Sequence, residues 1–398
     1  MKILQVISSL NPAYGGVAAC LQAITPELVA LGHTSEVATL DRPDEPFLGA
    51  FPGPVHALGP AKFGYQYSPK IVPWLRAEAK RFDVVVIHGM WQYHGFAVHR
   101  ALGRAGDPPY FIFSHGMLDP WFKREYPLKH IKKLFYWWPI ERRVLRDAVA
   151  VLFTCEEERV LARQSFAGYR CREQVVAFGT VGVDGDAAQQ REAFYAHVPE
   201  VRGKPFWLFL GRIHVKKGMD LLIDAYAELA KTAEKTGRAL PTLVIAGPCA
   251  DGEYLKQLQE RANARCPAGS VLWPGMIRGD TKWGALRAAE VFVLPSHQEN
   301  FGIAVAEALS CGTPVLISDK VNIWREIKAD AAGLVENDDL AGTLKLLEHW
   351  WSMYEPARAR MREAATKSFE QRYAVKSAAQ SLANVLAEGL AATGRASS

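Results

Sequence analysis

The 398-residue chain has no apolar stretch of about 18 residues or more, so no transmembrane helix is expected. Its apolar N-terminal run, MKILQVISSL, is short and continues into NPAYGG without a cleavage-like site, which reads as a buried strand rather than a secretory leader. Cys20, Cys155, Cys171, Cys249, Cys266 and Cys311 include no C-x-x-C pair. That argues against a zinc ribbon or a redox motif and for reduced thiols in a cytosolic protein. G-x-G-x-x-G is missing, so a dinucleotide fingerprint is not supported. Low-complexity sequence is absent before the small-residue tail Ala391–Ser398, which is expected to fray. Charge of one sign is also scarce. With 47 Lys and Arg against 42 Asp and Glu, the net charge is +5. This suits an anionic small ligand or a membrane surface, and no nucleic-acid partner is expected.

Hydrophobic residues at 49% and charged residues at 22% indicate a globular chain, long enough for two domains. Short apolar runs at 2–8, 35–40, 83–87, 110–114, 149–153 and 174–178 alternate with helical patterns at 16–31, 69–81, 92–105 and 128–147. The rhythm stops at 179–204, rich in Gly, Asp and Pro, and restarts with runs at 206–210, 242–246, 270–273, 291–294 and 314–318. The last 60 residues are helical by pattern at 339–352, 355–370 and 374–391. Continuous apolar strands separated by helices predict parallel sheets covered on both faces. The expectation is two tandem Rossmann-like doubly wound α/β domains facing a central cleft. The expected limits are 1–187, 188–372, and a terminal segment 373–398.

Four segments carry candidate chemistry. GRIHVKKG at 211–218 follows an apolar strand, and Arg212 and Lys217 flank a turn that leads into a helix. Such a pair fits either a diphosphate clamp or a basic surface turn. HQENFGIAVAEALSCGTPV at 297–315 places Glu299 in a loop, starts a helix near Phe301 and ends it at Gly312, with Glu307 farther along. The amides of Phe301 to Ile303 are then free to meet an anion or sugar hydroxyls, although either glutamate alone also fits an exposed helix position. NPAYGGV at 11–17 puts Gly15 and Gly16 at a helix start, where backbone can approach a ligand closely. His88-Gly89-Met90 and His115-Gly116-Met117 each follow an apolar strand, which predicts a ligand contact from at least one histidine. Asp184-Gly185-Asp186 mimics a D-x-D metal motif but lies in the linking segment, and reads as a turn.

Taken together, GRIHVKKG, ENFGIAVAE and GTPVLIS resemble family 4 of the retaining glycosyltransferases, which has the GT-B fold. The GG loop, the SHG segment and the GVD hinge are similar too, and the resemblance covers nearly the whole chain. The family hinge usually begins with Asn, where this chain has Val181. The resemblance implies that Arg212 and Lys217 neutralise a donor diphosphate and that Glu307 binds the ribose. It implies that Glu299, with the amides of Phe301 and Gly302, holds donor-sugar hydroxyls. Asn300 and Ile303 belong to the same donor loop, and Gly15 and Gly16 approach the distal phosphate. His115 is assigned to the sugar near the reacting carbon, and Gly275–Arg278, with Met276 and Ile277, to the base. It also implies that the last helix returns to the N-terminal domain.

The implied reaction moves a hexosyl unit from a UDP- or GDP-sugar to a saccharide or lipid-linked acceptor, with retention and without a metal or other cofactor. Catalysis would rest on His115, Glu299, Arg212 and Lys217. Trp91, Tyr93, His94 and Asp119 are acceptor candidates, although core packing explains aromatic residues there equally well. The segment 121–143 mixes bases with aromatics. It fits either peripheral contact with the inner face of a membrane or an ordinary helix with a solvated basic side. A nucleotide-sugar 2-epimerase of the same fold and a non-catalytic sugar-nucleotide-binding subunit are the alternatives.

Overall fold

In the computed structural model, which describes residues 1–14 and 16–394, thirteen strands form two sheets. The first contains β1 (Lys2–Ile7), β2 (Thr34–Thr39), β3 (Val55–Ala57), β4 (Val84–His88), β5 (Tyr110–Phe113), β6 (Val151–Phe153) and β7 (Glu173–Val175). Their order is β3-β2-β1-β4-β5-β6-β7, and every pairing is parallel. The second contains β8 (Phe206–Leu210), β9 (Thr242–Ala246), β10 (Val271–Gly275), β11 (Val291–Leu294), β12 (Val315–Ser318) and β13 (Gly333–Glu336). Its order is β10-β9-β8-β11-β12-β13, again parallel throughout. Both are Rossmann-like doubly wound sheets, as the alternating pattern predicts. The winding reverses between β1 and β4 and between β8 and β11. At such a switch point the loops leaving adjacent strands diverge to opposite faces and open a crevice.

The chain divides into a unit of Met1–Thr180 with Tyr373–Ser398 and a unit of Val181–Arg372. In the first, successive residues of β4 serve opposite faces. Val85 and Ile87 join the core under the helices Ile71–Glu78 and Tyr93–Ala101. Val84 and Val86 join the core under Gly16–Ala30 and the returning helix Val375–Ala392. That last helix buries Leu382, Leu386 and Leu390, a 3.6-period stripe contributing at most about 1.5–3 kcal/mol per side chain. The helix runs to Ala392, and 395–398 lie outside the described residues.

The change of unit comes earlier than the expected boundary at 187. Residues 181–187 are held by the second unit, where the Val183 amide donates to Ser310 Oγ at 3.2 Å and Gly182 lies against Phe369. Asp184 and Asp186 are a turn and a helix cap. The Asp184 carboxylate accepts the Gly185 amide, and Asp186 accepts the Gln189 amide at the start of Ala187–His197.

The expected single helix at 128–147 is three pieces: Pro127–Tyr136, a wider π turn Trp137–Glu141, and Arg142–Asp147. Pro139 has no amide to offer the helical ladder, and the widened turn carries Trp137 and Glu141 inside together. Strands β3 and β13 were not expected. Both are sheet edges of three or four residues with little full burial, so neither needs a continuous apolar run.

Candidate functional site

In the second unit, the chain leaves β8 through Gly211 and the exposed Arg212, then makes a short turn, Val215–Lys217. Gly218 follows at φ 66°, where a Cβ would overlap the carbonyl oxygen of Pro295 beyond β11. Only glycine therefore brings Lys217 against the loop 296–302. Two further contacts fix that approach: Ser296 Oγ and the His297 amide both donate to the Lys216 carbonyl at 2.8 Å.

Lys217 forms an ion pair with Glu299. Burial pushes the Lys217 ammonium down to about 8, helped by repulsion from Arg212 and Lys216. Glu299 is fixed by its backbone, its amide donating to Lys320 and its carbonyl accepting from Asn322. Asn300 Oδ1 accepts from Asn322 Nδ2 at 3.4 Å.

Gly302, at φ 75°, is the N-cap of the helix Ile303–Ser310, so the helix starts later than expected and the amides of Phe301 and Gly302 precede it. The Phe301 side chain is in the core. Glu307 lies on that helix and pairs with Lys282 Nζ at 2.8 Å. Lys282 is absent from the expected set; on the helix Gly279–Ala288 nothing local distinguishes it from a surface lysine. Of the base candidates at the end of β10, Met276 is half exposed and Ile277 is buried. Thus Lys217 and Glu299 meet directly, Glu307 is one helix away, and Met276 stands at the sheet edge.

In the first unit, the switch point between β1 and β4 holds a cavity of about 370 Å³, with Ser8, Ser9, Gln66, His88, Gln92 and His115 among its walls. Four of these polar residues, Ser8, Ser9, Gln66 and Gln92, are missing from the expected site. His115 sits at φ 48° and Trp91 at φ 69°, backbone conformations that cost about 1–3 kcal/mol each for such residues. Gln5 Oε1 accepts from His88 Nε2 at 2.7 Å, so His88 Nδ1 is left to accept from His115 Nε2 at 3.1 Å. Burial pushes His115 down to about 3 and, with His115 and His94 nearby, holds His88 well below the usual range. Both imidazoles are therefore neutral near pH 7.

The His115 turn has an unexpected anchor. Glu158, buried on the helix Glu156–Ala162, accepts from Ser114 Oγ at 2.5 Å, the Gly116 amide at 2.6 Å, the Thr154 amide at 2.7 Å and Thr154 Oγ1 at 2.6 Å. In Glu158→Ala these buried donors lose their acceptor. An unfolding free energy lower by about 3 kcal/mol or more is expected in urea titration. Wild-type stability in that variant would mean the turn is held by something else.

Three acceptor candidates are corrected by their surroundings. His94 is fully buried and its Nε2 donates to the His88 carbonyl at 2.9 Å, so it braces the cavity wall and does not face a ligand. Tyr93 is buried between Tyr65 and Tyr67. Trp91 packs on Trp137 and Phe166 with its Nε1 on the Met117 carbonyl. Asp119, partly exposed, accepts the Trp121 amide at 2.8 Å. Gly16 opens the first helix at the cavity's side of the sheet, next to the lining residues Val17 and Ala18; Gly15 lies outside the described residues.

Residues 190–368 match the family model described as glycosyl transferases group 1, and residues 15–179 match the glycosyl transferase 4-like domain. Over 205 residues the chain is 29% identical to the D-inositol 3-phosphate glycosyltransferase of Jonesia denitrificans, covering 50% of this chain and 47% of that protein. Over 250 residues it is 25% identical to the O-antigen chain mannosyltransferase C of Escherichia coli, covering 62% of each. The chain thus spans less than two thirds of the length of these curated relatives. HepE of Anabaena, solved with UDP and glucose, superposes with a TM-score of 0.70 at 19% identity, over 98% of this chain and 100% of that one. WaaG, a glycosyltransferase involved in lipopolysaccharide biosynthesis, gives 0.64 at 17% identity, over 97% and 99%. At these identities the two structures speak to the fold alone. The two matched regions together account for most of the chain, which belongs to the GT-B glycosyltransferases of family 4 type.

Proposed function

We propose that this protein transfers a hexosyl unit from a UDP- or GDP-sugar to a saccharide acceptor, free or lipid-linked, with retention at the anomeric carbon. The observation that carries this reading is the cationic strand end, where Lys217, paired with Glu299, stands near Arg212. Breaking the anomeric C–O bond leaves positive charge on the sugar and negative charge on the diphosphate. Arg212 and Lys217 stabilise the diphosphate, with the amides around Gly302. Glu299 and the Phe301 and Gly302 amides hold sugar hydroxyls, Glu307 the ribose, and Met276 and the Ile277 backbone the base. The acceptor hydroxyl attacks the face the diphosphate leaves, and its proton passes to the departing phosphate oxygen, giving a glycoside and a nucleoside diphosphate.

In the first unit, neutral His115, its Nε2 proton given to His88, accepts a hydrogen bond from a sugar hydroxyl at Nδ1, and Asp119 stands on the acceptor side. The relatives' names support polysaccharide assembly as the setting, in the cytoplasm or at the inner membrane face, where the segment 121–143 meets a lipid-linked acceptor.

Because two side-chain cations answer the diphosphate charge and Asp184 and Asp186 are committed to a turn and a cap, activity needs no divalent metal. Incubated with a saccharide acceptor and UDP- or GDP-sugars in excess EDTA, the protein is expected to release nucleoside diphosphate at an undiminished rate, and the anomer of the glycoside formed, read by NMR, to match the donor. Activity that disappears on chelation and returns with Mg²⁺ or Mn²⁺ refutes metal independence; an inverted anomer refutes retention.

A further inference from the structure

Residues 3–7 of β1 are all buried, and Gln5 is the one polar side chain among them. Strand alternation puts it on the face of Ile3 and Ile7, under the helices Gly16–Ala30 and Val375–Ala392. Its Oε1 accepts from His88 Nε2 at 2.7 Å, but its amide nitrogen has no partner among the described residues. Leaving a buried amide nitrogen unanswered costs stability. A methionine would fill similar space without that cost, so folding alone does not account for a glutamine at this position.

Gln5 settles instead where a proton sits. His88 stacks on Phe113 with ring centres 5.3 Å apart, and His115 stacks on the same ring at 5.2 Å and meets Phe178 edge-on at 5.6 Å. Besides the 370 Å³ cavity, the two imidazoles border a small void of about 20 Å³, walled by Cys20, Leu21, Ile24 and Leu382 among others. Among the described residues, neither space brings a charged side chain to the pair. Burial holds His94 down to about 4 and pushes the Cys20 thiol up to about 12, so these neighbours are neutral too. Glu158 is engaged with the backbone and hydroxyls around His115, not with its ring. With no charge to bias either ring, the acceptor at Gln5 Oε1 assigns the proton of His88 to Nε2, and hence that of His115 to its own Nε2.

We propose that Gln5 is a positioning residue for His115: by taking the His88 Nε2 proton it runs both hydrogen bonds of the Gln5–His88–His115 chain in one direction and keeps His115 Nδ1 bare, as an acceptor for the cavity. An imidazole free to change tautomer would meet its ligand with a proton in some molecules and a lone pair in others. Fixing the tautomer in advance removes that cost from the binding and transfer steps. The bare nitrogen selects a hydroxyl over an ether, carbonyl or phosphate oxygen, none of which has a proton to donate. The inference rests on the transferase reading only for the sugar that supplies this hydroxyl.

Long-range ¹H–¹⁵N correlation spectra of the imidazoles, recorded near neutral pH without substrate, test it, with His88 and His115 assigned by single substitution. In the wild-type protein both rings are expected to carry their proton on Nε2. In Gln5→Met the His115 ring, which Gln5 does not touch, is expected to show both tautomers, while Tm stays at or above the wild-type value because an unpartnered buried amide has gone. With a saccharide acceptor and the UDP- or GDP-sugar that the wild type uses, kcat/KM of Gln5→Met is expected to fall by about tenfold, the weight of one neutral hydrogen bond. A wild-type proton on His115 Nδ1 overturns the proposal, whether or not the variant folds. So does a His115 signal unchanged in Gln5→Met; joined to a lower Tm, it would assign Gln5 to folding alone. Wild-type kcat/KM in a Gln5→Met protein whose tautomers have mixed overturns the role in transfer. The spectra use no nucleotide sugar, so the expected tautomers in a protein that transfers no sugar count against the transferase reading alone.

Discussion

Lys217→Ala is expected to lower kcat/KM by about two to three orders of magnitude, roughly 3–4 kcal/mol of transition-state stabilisation. The ammonium is largely withdrawn from water, so its attraction to a diphosphate is screened less than that of a surface lysine. Arg212→Ala should also be costly, roughly 2–4 kcal/mol, and because Arg212 is exposed its loss should leave folding intact. Lys217 is different, since its removal leaves the partly buried Glu299 carboxylate without its cation. Lys217→Arg separates the two effects: it restores charge to Glu299 without restoring the ammonium's geometry. The ammonium is held down to about 8, so the charged form of the free protein is lost as pH rises through that value. Donor kcat/KM should therefore fall on an alkaline limb near pH 8 that is absent in Lys217→Arg. Near-wild-type kcat/KM in Lys217→Ala, with circular dichroism unchanged, would remove the clamp from the mechanism.

The two glutamates are expected to fail in different ways. Glu307 is assigned to the ribose, which changes little as the bond breaks, so Glu307→Gln should raise KM by about tenfold with a smaller effect on kcat. Glu299 is assigned to the sugar, which gains positive charge, so Glu299→Gln should lower kcat by about tenfold or more and change KM less. Glutamine keeps the size and much of the hydrogen bonding, so the comparison isolates charge. The Lys282–Glu307 pair adds a control. Lys282→Met should reproduce the KM effect of Glu307→Gln, because the carboxylate loses the partner that orients it. If Glu299→Gln changes KM alone while Glu307→Gln changes kcat alone, the two assignments are exchanged.

The fold was legible because its determinants are local. A strand such as FWLFL, buried along its whole length, has to be apolar throughout, and β8 begins and ends where that run does. Gly312 is placed at a helix end because glycine punctuates such ends, whereas Gly302, at φ 75° before its helix, falls inside the expected one. Edge strands β3 and β13 escape the pattern because short strands that are seldom fully buried need no such run. The helix at 128–147 was read as continuous because its apolar period does not register the break that Pro139 and Trp137 make.

What the sequence by itself determined is the alternation of strands and helices, and the turns that put Arg212, Lys217, Glu299 and His115 beyond strand ends. These follow from side-chain period and backbone freedom over a few residues. Only the tertiary structure decided which charges meet: Lys217 with Glu299, Lys282 with Glu307, and Glu158 with the turn around His115. It also decided that His94 is walled in while Gln66, from a distant loop, lines the cavity. The physical reason is strand order. Placing β4 beside β1 and β11 beside β8 juxtaposes residues far apart in the chain, and the buried runs of a parallel sheet are too alike in composition to encode which strand is the neighbour.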